Sequence, residues 1–501
     1  MKNGIRIREL LDGVKYRIVQ GSDEQAVSGP EESSLKVKKG SVFFCIRGSA
    51  YDGHDFASDA VHKGAGAIIT EEEIKLKVKG PVVIKVKDSK AALLNAVKKV
   101  YEEYRNSVSV IGITGTKGKT TVSYIVDAIL KETFGRDNTV IGTVGYRVGK
   151  RKYPAETTTP SNLVLNKLIK MSAAKKIKNV IMEVSSHSLV QGRVENIEFA
   201  SGVITNVARD HLDYHKTLVN YLSAKLKIIS RIKKDGVLVL NRDDSSFAPA
   251  LKTAQKRGIK TVVFSFEKKA DIKVLEYKTG MGGSEFTLEI YGKPERFKTR
   301  LVGEHNIRNI MAAIGAVRGM AGIEDIRRAV KTFRRVKGRM ETVRNNKCGI
   351  IVDFAHTPDS VEKTLKVLKG VCRGRLITVF GAGGGRDRGK RPLMGRAAEK
   401  YSDYIIVTSD NPRDENPERI IKDVISGIRN KTSVFAEPDR KKAIRIAVEK
   451  AAKDDIVAIL GKGHEAYQYI KGKKYPFDDV REARGAAGKA EKKRKRGGKK
   501  K

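Results

Sequence analysis

The run "GITGTKGKTT", residues 112–121, sets glycines, lysines and hydroxyls at a spacing suited to phosphate. Gly115 and Gly118 free backbone N–H groups to wrap an anion, and Lys119 supplies a point charge. Thr120 offers a hydroxyl to magnesium at a helix start, and Thr116, Lys117 and Thr121 complete the loop. "SVIGITG" before it reads as a strand and "TVSYIVDAILKE" after it as a helix, so the arrangement points to phosphate binding. The common phosphate-loop pattern has glycine five residues before Gly118, where this chain has Ile113. The loop therefore belongs to a narrower variant.

Three further residues could act beside it. Glu183 ends the apolar run "NVIME" and could reach the same magnesium, or merely cap a following turn. His211 sits in a loop after "SGVITNV", as a metal ligand or as a hydrogen-bonded loop histidine. Lys225, in "TLVNYLSAKLKIIS", has Tyr221, Leu222, Ile228 and Ile229 as its helical neighbours, whereas Lys227 faces Ser223, Ala224, Ser230 and Arg231. Lys227 is an ordinary solvated lysine. Lys225 either snorkels to water or is a desolvated amine with a lowered pKa.

A fourth candidate region is "VTSDNPRDENPERII", residues 407–421. Asn416 and Pro417 are explained as a helix cap and first turn. Asn411, Pro412 and Arg413 are not needed for that helix, and they follow an apolar β-branched run that reads as a buried strand. Ligands in open α/β sheets bind just beyond such strand ends.

The elements that must position these residues divide the chain into α/β segments. At 501 residues it is too long for one core. Residues 1–107 read as a small α/β domain, 108–337 as a central phosphate-loop domain with a mostly parallel sheet, and 338–486 as a C-terminal Rossmann-like α/β domain. An antiparallel insertion, "DIKVLEY…SEFTLEIYG", precedes a helix starting near Asn306. The basic end, 487–501, is expected to be disordered. Cys45, Cys348 and Cys372 form neither a disulfide framework nor a zinc pattern, no apolar run is long enough to span a bilayer, and the N-terminus lacks a signal core. The expected location is a reducing cytoplasm. The net charge of +43 would attract nucleic acid, anionic lipid or phosphorylated small molecules, and a general solubility bias explains it equally.

The loop "GTKGKTT" and the ordered landmarks "TTTPSN", "MEVSSHSLVQGRV", "NVARDHLDYH", "YLSAK", "GEHNIRNIMAA", "GRMETV", "VDFAHTPDSV", "GRDRGKRPLMG", "DNPR" and "GKGHEAYQ" resemble the Mur ligase family, in its diaminopimelate-adding branch. The resemblance implies an ATP-dependent amide ligase that adds meso-diaminopimelate to UDP-N-acetylmuramoyl-L-alanyl-D-glutamate (UDP-MurNAc-L-Ala-D-Glu) through an acyl phosphate in peptidoglycan synthesis, acting as a monomer with magnesium. It implies catalytic roles for Lys119, Glu183, His211 and Lys225. Lys225 would be a CO2-derived carbamate that, with Thr120, Glu183 and His211, holds metal. Asn306, Arg339 and Asp353 would join the loop around ATP. Ser34, Thr158, Thr159, Ser185, Gln191 and Arg193 would hold the UDP-muramoyl dipeptide. Arg386, Asp410, Asn411, Pro412, Arg413, Gly461 and Glu465 would surround diaminopimelate, with Arg413 gripping its distal carboxylate and Glu465 its ammonium.

Departures from the family pattern are Leu35 for an arginine, His305 for a phenylalanine and Gly385 for an aspartate. Within the class, the rival is a lysine-adding or other amino-acid ligase. Outside it, the charge suggests a nucleic-acid-binding ATPase, but no arginine-finger context or aromatic stacking motif supports that reading.

Overall fold

The computed structural model describes residues 4–48, 51–74, 80–280, 282–334, 336–343, 345 and 347–497, the last nine of these as backbone. It contains three parallel-rich sheets covered by helices, the α/β class expected. By compactness the chain forms two units, Met1–Phe264 with Ala312–Ala321, and Ser265–Met311 with Gly322–Lys501.

The first unit holds two sheets. The smaller orders its strands Tyr16–Gln20, Val82–Val86, Ala67–Thr70, Ser41–Phe44 and Gly29–Glu31, with one antiparallel pair at the first edge and parallel pairs elsewhere. Helix Ser89–Asn106, capped by Asp88 accepting from Ala91 N, closes its core with Ala92, Leu93, Ala96 and Val97. Leu163, from a helix of the neighbouring sheet, enters the same core, and Arg105 donates to Asn166 at 3.0 Å, so the two sheets pack on each other.

The second sheet runs parallel from Thr139–Gly142 through Asn179–Glu183, Ser109–Thr114, Phe199–Ile204 and Ile232–Asn241 to Lys260–Ser265. Its central strands, Asn179–Glu183, Ser109–Thr114 and Phe199–Ile204, are buried on both faces almost throughout, which is why they read as apolar runs. Helix Lys119–Phe134 buries Val122, Ile125, Val126, Ile129 and Leu130 at helical spacing and ends at Gly135 in the left-handed region. Each such side chain contributes about 1.5–3 kcal/mol, which fixes the helix start beneath the phosphate loop.

The second unit contains the antiparallel meander Ile272–Gly280, Gly283–Ile290 and Lys293–Thr299. It also contains a six-stranded sheet, ordered Glu341–Val343, Gly349–Asp353, Ile456–Leu460, Leu376–Phe380, Tyr404–Thr408 and Val434–Glu437. All pairs in that sheet are parallel except the first. The last parallel strand in sequence lies between the first two, so loops from four neighbouring strands gather at one carboxyl edge. The hairpin Tyr467–Ile470 and Lys473–Pro476 joins this edge through an Arg413–Ile470 bridge.

Helix Asp479–Gly497 runs into the basic end from 487, for which disorder is expected from composition. Its alanines, lysines and arginines are good helix formers, and the preceding turns, with Val480 and Ala483 buried, supply the nucleus. Residues 498–501 lie outside the described residues.

Candidate functional site

The loop after strand Ser109–Thr114 is shaped by its own backbone and by the next parallel strand. Thr116 N donates to Asn206 O at 2.8 Å, and Lys117 N to Asn206 Oδ1 at 3.0 Å. Lys117 O in turn accepts from Thr205 Oγ1 at 2.6 Å and Asn206 Nδ2 at 3.0 Å. Gly118 caps helix Lys119–Phe134 at φ +89°, a backbone shape that favours glycine. Lys119 Nζ folds back onto the carbonyls of Gly115 at 2.7 Å and Thr116 at 3.1 Å. Thr120 is buried and Thr121 half-buried on the first turn. The result is an anion cradle at a helix start with a lysine over it.

Glu183 lies at the carboxyl end of the adjoining strand, in register with Ile113. It caps no following turn: Oε1 accepts from Thr143 N at 2.8 Å and Oε2 from Thr143 Oγ1 at 3.0 Å, and it is 1% exposed. A Cβ at Gly142 would overlap its carboxylate. Thr143 Oγ1 is also 3.2 Å from Thr158 Oγ1, and Thr159 Oγ1 donates to Glu183 O at 2.8 Å while accepting from Ser185 N at 3.0 Å. Arg193 Nη1 donates to Thr159 O at 2.9 Å, and Gln191 closes the short helix that Ser185 caps. The Ser34 turn stands beside this cluster, since Lys36 pairs with Glu156 at 3.8 Å and Ser161 bonds Glu32. Ser34 is buried with its carbonyl on Lys63 Nζ at 3.2 Å, whereas Leu35 is 83% exposed. The residues expected to hold the sugar nucleotide thus form one neighbourhood.

Lys225 does not snorkel. It is 1% exposed on helix Leu218–Leu226, and its Nζ stands 4.5 Å from the Tyr221 ring centre. Burial pushes its pKa well down, and the Lys119 charge pushes the same way against Asp210. Lys227 is exposed, as its helical neighbours require. His211 has φ +52° and a side chain 49% exposed, 3.8 Å from Asp210 and edge-on to His187 at 5.0 Å. Among the described residues no group of three His, Cys, Asp or Glu could hold a metal ion. The donor set is nevertheless of hard oxygen type at Glu183 and Thr120. An unmodified Lys225 adds no anion to it.

In the second unit, Asp353 ends its strand and accepts from Met340 N at 2.8 Å and Ala355 N at 2.9 Å. Arg339 stacks over Phe354 at 4.7 Å. Asn306, on the first turn of helix Glu304–Ala316, donates to Val302 O at 2.8 Å and accepts from Asn309. Asp410, Asn411 and Pro412 are buried after strand Tyr404–Thr408. Asn411 binds Glu465 at 2.8 Å, Lys462 Nζ at 2.9 Å and Tyr469 N at 3.0 Å. Arg413, at φ +54°, donates its N–H to Tyr469 O at 2.9 Å and its Nη1 to Gly384 O. Arg386 is exposed on the neighbouring turn, and Gly461 faces Asp410 so closely that a side chain would collide. Glu465 already engages Lys462 Nζ at 3.0 Å, so an ammonium placed there would join a paired carboxylate.

Sequence reasoning missed Thr143, Asn206 and Tyr221, whose polar atoms shape the loop and Glu183, and the fully buried Lys462, Arg391 and Arg440. Asn206, Tyr221, Arg391 and Lys462 lie within the landmark motifs, but nothing in the motifs marks their roles. All become visible through partners distant in the chain.

Family models match three consecutive stretches: the Mur ligase family catalytic domain at residues 32–112, the Mur ligase middle domain at 113–317, and the Mur ligase glutamate ligase domain at 338–463. The UDP-N-acetylmuramoyl-L-alanyl-D-glutamate--2,6-diaminopimelate ligase of Aquifex aeolicus (strain VF5) is 44% identical over 456 residues, 91% of this chain and 92% of that protein. Its namesake in Clostridium perfringens (strain 13 / Type A) is 38% identical over 479 residues, 94% and 97% of the two chains. A solved structure of a protein of the same name is 31% identical with a TM-score of 0.68, covering 97% of this chain and 99% of that one. MurF from Acinetobacter baumannii shares the fold at 17% identity and a TM-score of 0.66.

Proposed function

Because the chain belongs to the Mur ligase family, we propose that it joins meso-diaminopimelate to UDP-MurNAc-L-Ala-D-Glu with hydrolysis of ATP to ADP and phosphate, in assembly of peptidoglycan precursors. The observation that carries this reading is the 44% identity over 91% of the chain to a relative of that name, together with the buried loop that presents Arg413.

The D-glutamyl carboxylate attacks the γ-phosphorus of ATP, ADP leaves, and an acyl phosphate forms. The amine of diaminopimelate then attacks the acyl carbon, the tetrahedral intermediate expels phosphate, and the nitrogen loses a proton. The phosphate loop and Lys119 orient the triphosphate and offset the charge that builds on the transferred group. Thr143 fixes both carboxylate oxygens of Glu183, so Glu183 and the Thr120 hydroxyl present oxygen donors that suit magnesium. Magnesium, when bound, supplies charge neutralisation at the phosphate oxygens. Burial disfavours the ammonium form of Lys225, so its amine sheds a proton more readily; the freed lone pair attacks CO2, and loss of a second proton yields a carbamate anion. That anion would complete with His211 a second set of metal ligands. Ser34, Thr158, Thr159, Ser185, Gln191 and Arg193 hold the nucleotide dipeptide, and Asn306, Arg339 and Asp353 the adenine nucleotide. Arg386, Asp410, Asn411, Pro412, Arg413, Gly461 and Glu465 hold the amino acid. The reading assigns the catalyst to the cytoplasm, where ATP is supplied, as a monomer in three parts, 1–107, 108–337 and 338–486. No described helix is long and apolar enough to cross a membrane.

Phosphate release with a panel of amino acids, in the presence of the nucleotide dipeptide and magnesium, tests the proposal. Diaminopimelate is expected to give turnover, with lysine far behind. Equal or better turnover with lysine would refute the substrate assignment.

A further inference from the structure

Of the three segments that carry the proposed amino-acid residues, two, the glycine turn 383–386 and the loop 409–415, are tied together by a buried charge pair. Arg391, fully buried on the first turn of helix Lys390–Glu399, donates through Nη2 to Glu415 Oε1 at 2.9 Å and Oε2 at 3.0 Å. Its Nη1 donates to Asp423 Oδ2 at 2.9 Å, and Nη2 also reaches Gly383 O at 3.4 Å. Glu415 Oε1 accepts in addition from Gly385 N at 2.6 Å. Above this pair the two segments touch directly. Gly384 N donates to Asn411 O at 2.9 Å, Arg413 Nη1 donates to Gly384 O, and a Cβ on Gly384 would overlap the Pro412 carbonyl.

The consequence follows from the donor count of arginine. A guanidinium has five N–H donors, and Arg413 uses one on Gly384, so the turn aims those that remain. The turn's place is in turn set by Glu415, which grips Gly385 N, and Glu415 is set by Arg391. A buried arginine that loses one of its two carboxylates is left with a guanidinium N–H pair unsatisfied out of reach of water, so the pair resists displacement. On the backbone side Arg413 is anchored independently by Tyr469 O and Lys471 N. The glycine turn is therefore the adjustable half of the grip.

We propose that the Arg391–Glu415 pair is a positioning device that sets the preference of this site for an amino acid bearing a second carboxylate. It fixes the spacing between Arg413 and the turn that carries Arg386. The proposal rests on the function stated above. Neither residue touches substrate.

The test is steady-state kinetics of the full chain with meso-diaminopimelate and with lysine, alongside thermal melting, for the wild type, Glu415→Gln, Arg391→Lys and Asp423→Asn. Arg391→Lys keeps a buried cation and is the variant that best preserves folding. In both clamp variants the ratio of kcat/KM for diaminopimelate over lysine should fall roughly tenfold or more, through the KM for diaminopimelate, with the KM for ATP unchanged. Asp423, which bonds Arg391 through Nη1 and lies in neither segment, supplies the control: Asp423→Asn should lower the melting point and leave the ratio alone. An unchanged ratio in both clamp variants, or an equal fall in Asp423→Asn, would overturn the proposal. A wild type that shows no preference between the two amino acids defeats the functional reading itself, and that failure is seen before any variant is compared.

Discussion

The phosphate loop of the first unit and the amino-acid loops of the second are built in opposite ways. The first is held by main chain and short polar side chains: Asn206 and Thr205 bond loop peptides, and Thr143 takes both oxygens of Glu183. The second is held by long charged side chains sunk in the protein, Arg391 on Glu415, Arg440 on Asp479 and Leu460 O, and Lys462 on Asn411 and Glu465. A triphosphate is common to many enzymes, and a backbone cradle suits it. An amino acid must be told from its relatives, and a fixed array of charges does that.

The sharpest test of the contrast is at Lys225, a long side chain buried on the phosphate-loop side. Lys225→Ala should lower kcat for ligation by about 10³-fold, the scale of losing a principal electrostatic group. ATP binding should survive, and bicarbonate should restore nothing, because no amine remains to react. Full activity in that variant would remove the carbamate and leave the first region to main chain and short polar side chains. On the other side, Arg413→Ala should raise the KM for diaminopimelate by ~10²-fold, as expected when a charged hydrogen-bond pair is lost. The KM for ATP should hold. An unchanged KM for diaminopimelate would show that the second carboxylate is read elsewhere.

The same contrast explains what the sequence disclosed. The loop 112–121 was legible because glycine positions and a Lys-Thr pair encode its shape within ten residues. The central parallel strands were legible because burial on both faces leaves apolar runs. Lys225 was legible because helical spacing set its apolar neighbours beside it, and the structure chose burial over snorkelling. Arg391 was not, since in sequence it is a basic residue among Arg386, Arg388 and Lys390, and its partners lie 24 and 32 positions away. Nor did composition foretell that helix would continue into the basic end, where local propensity outweighs like-charge repulsion.

A smaller perturbation probes the main-chain side without removing any functional group. Gly142 lies against the Glu183 carboxylate, and Gly142→Ala forces that side chain to shift. Displacing it from its preferred rotamer costs about 1 kcal/mol, roughly a fivefold fall in kcat. The KM for the amino acid should not change. If instead the preference for diaminopimelate moved, the two regions would not be separable in function.

The smallest expected effect is a pH dependence on the charged side. Hydrogen bonding from Arg391, followed by Gly385 N, holds the Glu415 carboxyl at about 2, below its ordinary 4.5. Between those values the unfolded chain takes up a proton that the folded chain refuses, so the contribution of Glu415 is complete above pH 4.5 and is lost as pH falls toward 2. Glu415 is one of 58 acidic residues, and its share is visible only by difference. Melting curves of wild type and Glu415→Gln should therefore converge as the pH is lowered from 5 to 2.5, with wild type the more stable at the upper end. Parallel curves would mean that the carboxylate is not charged against Arg391 in the folded protein. The amino-acid loops would then lose one of the three charged clusters that set them apart from the phosphate loop.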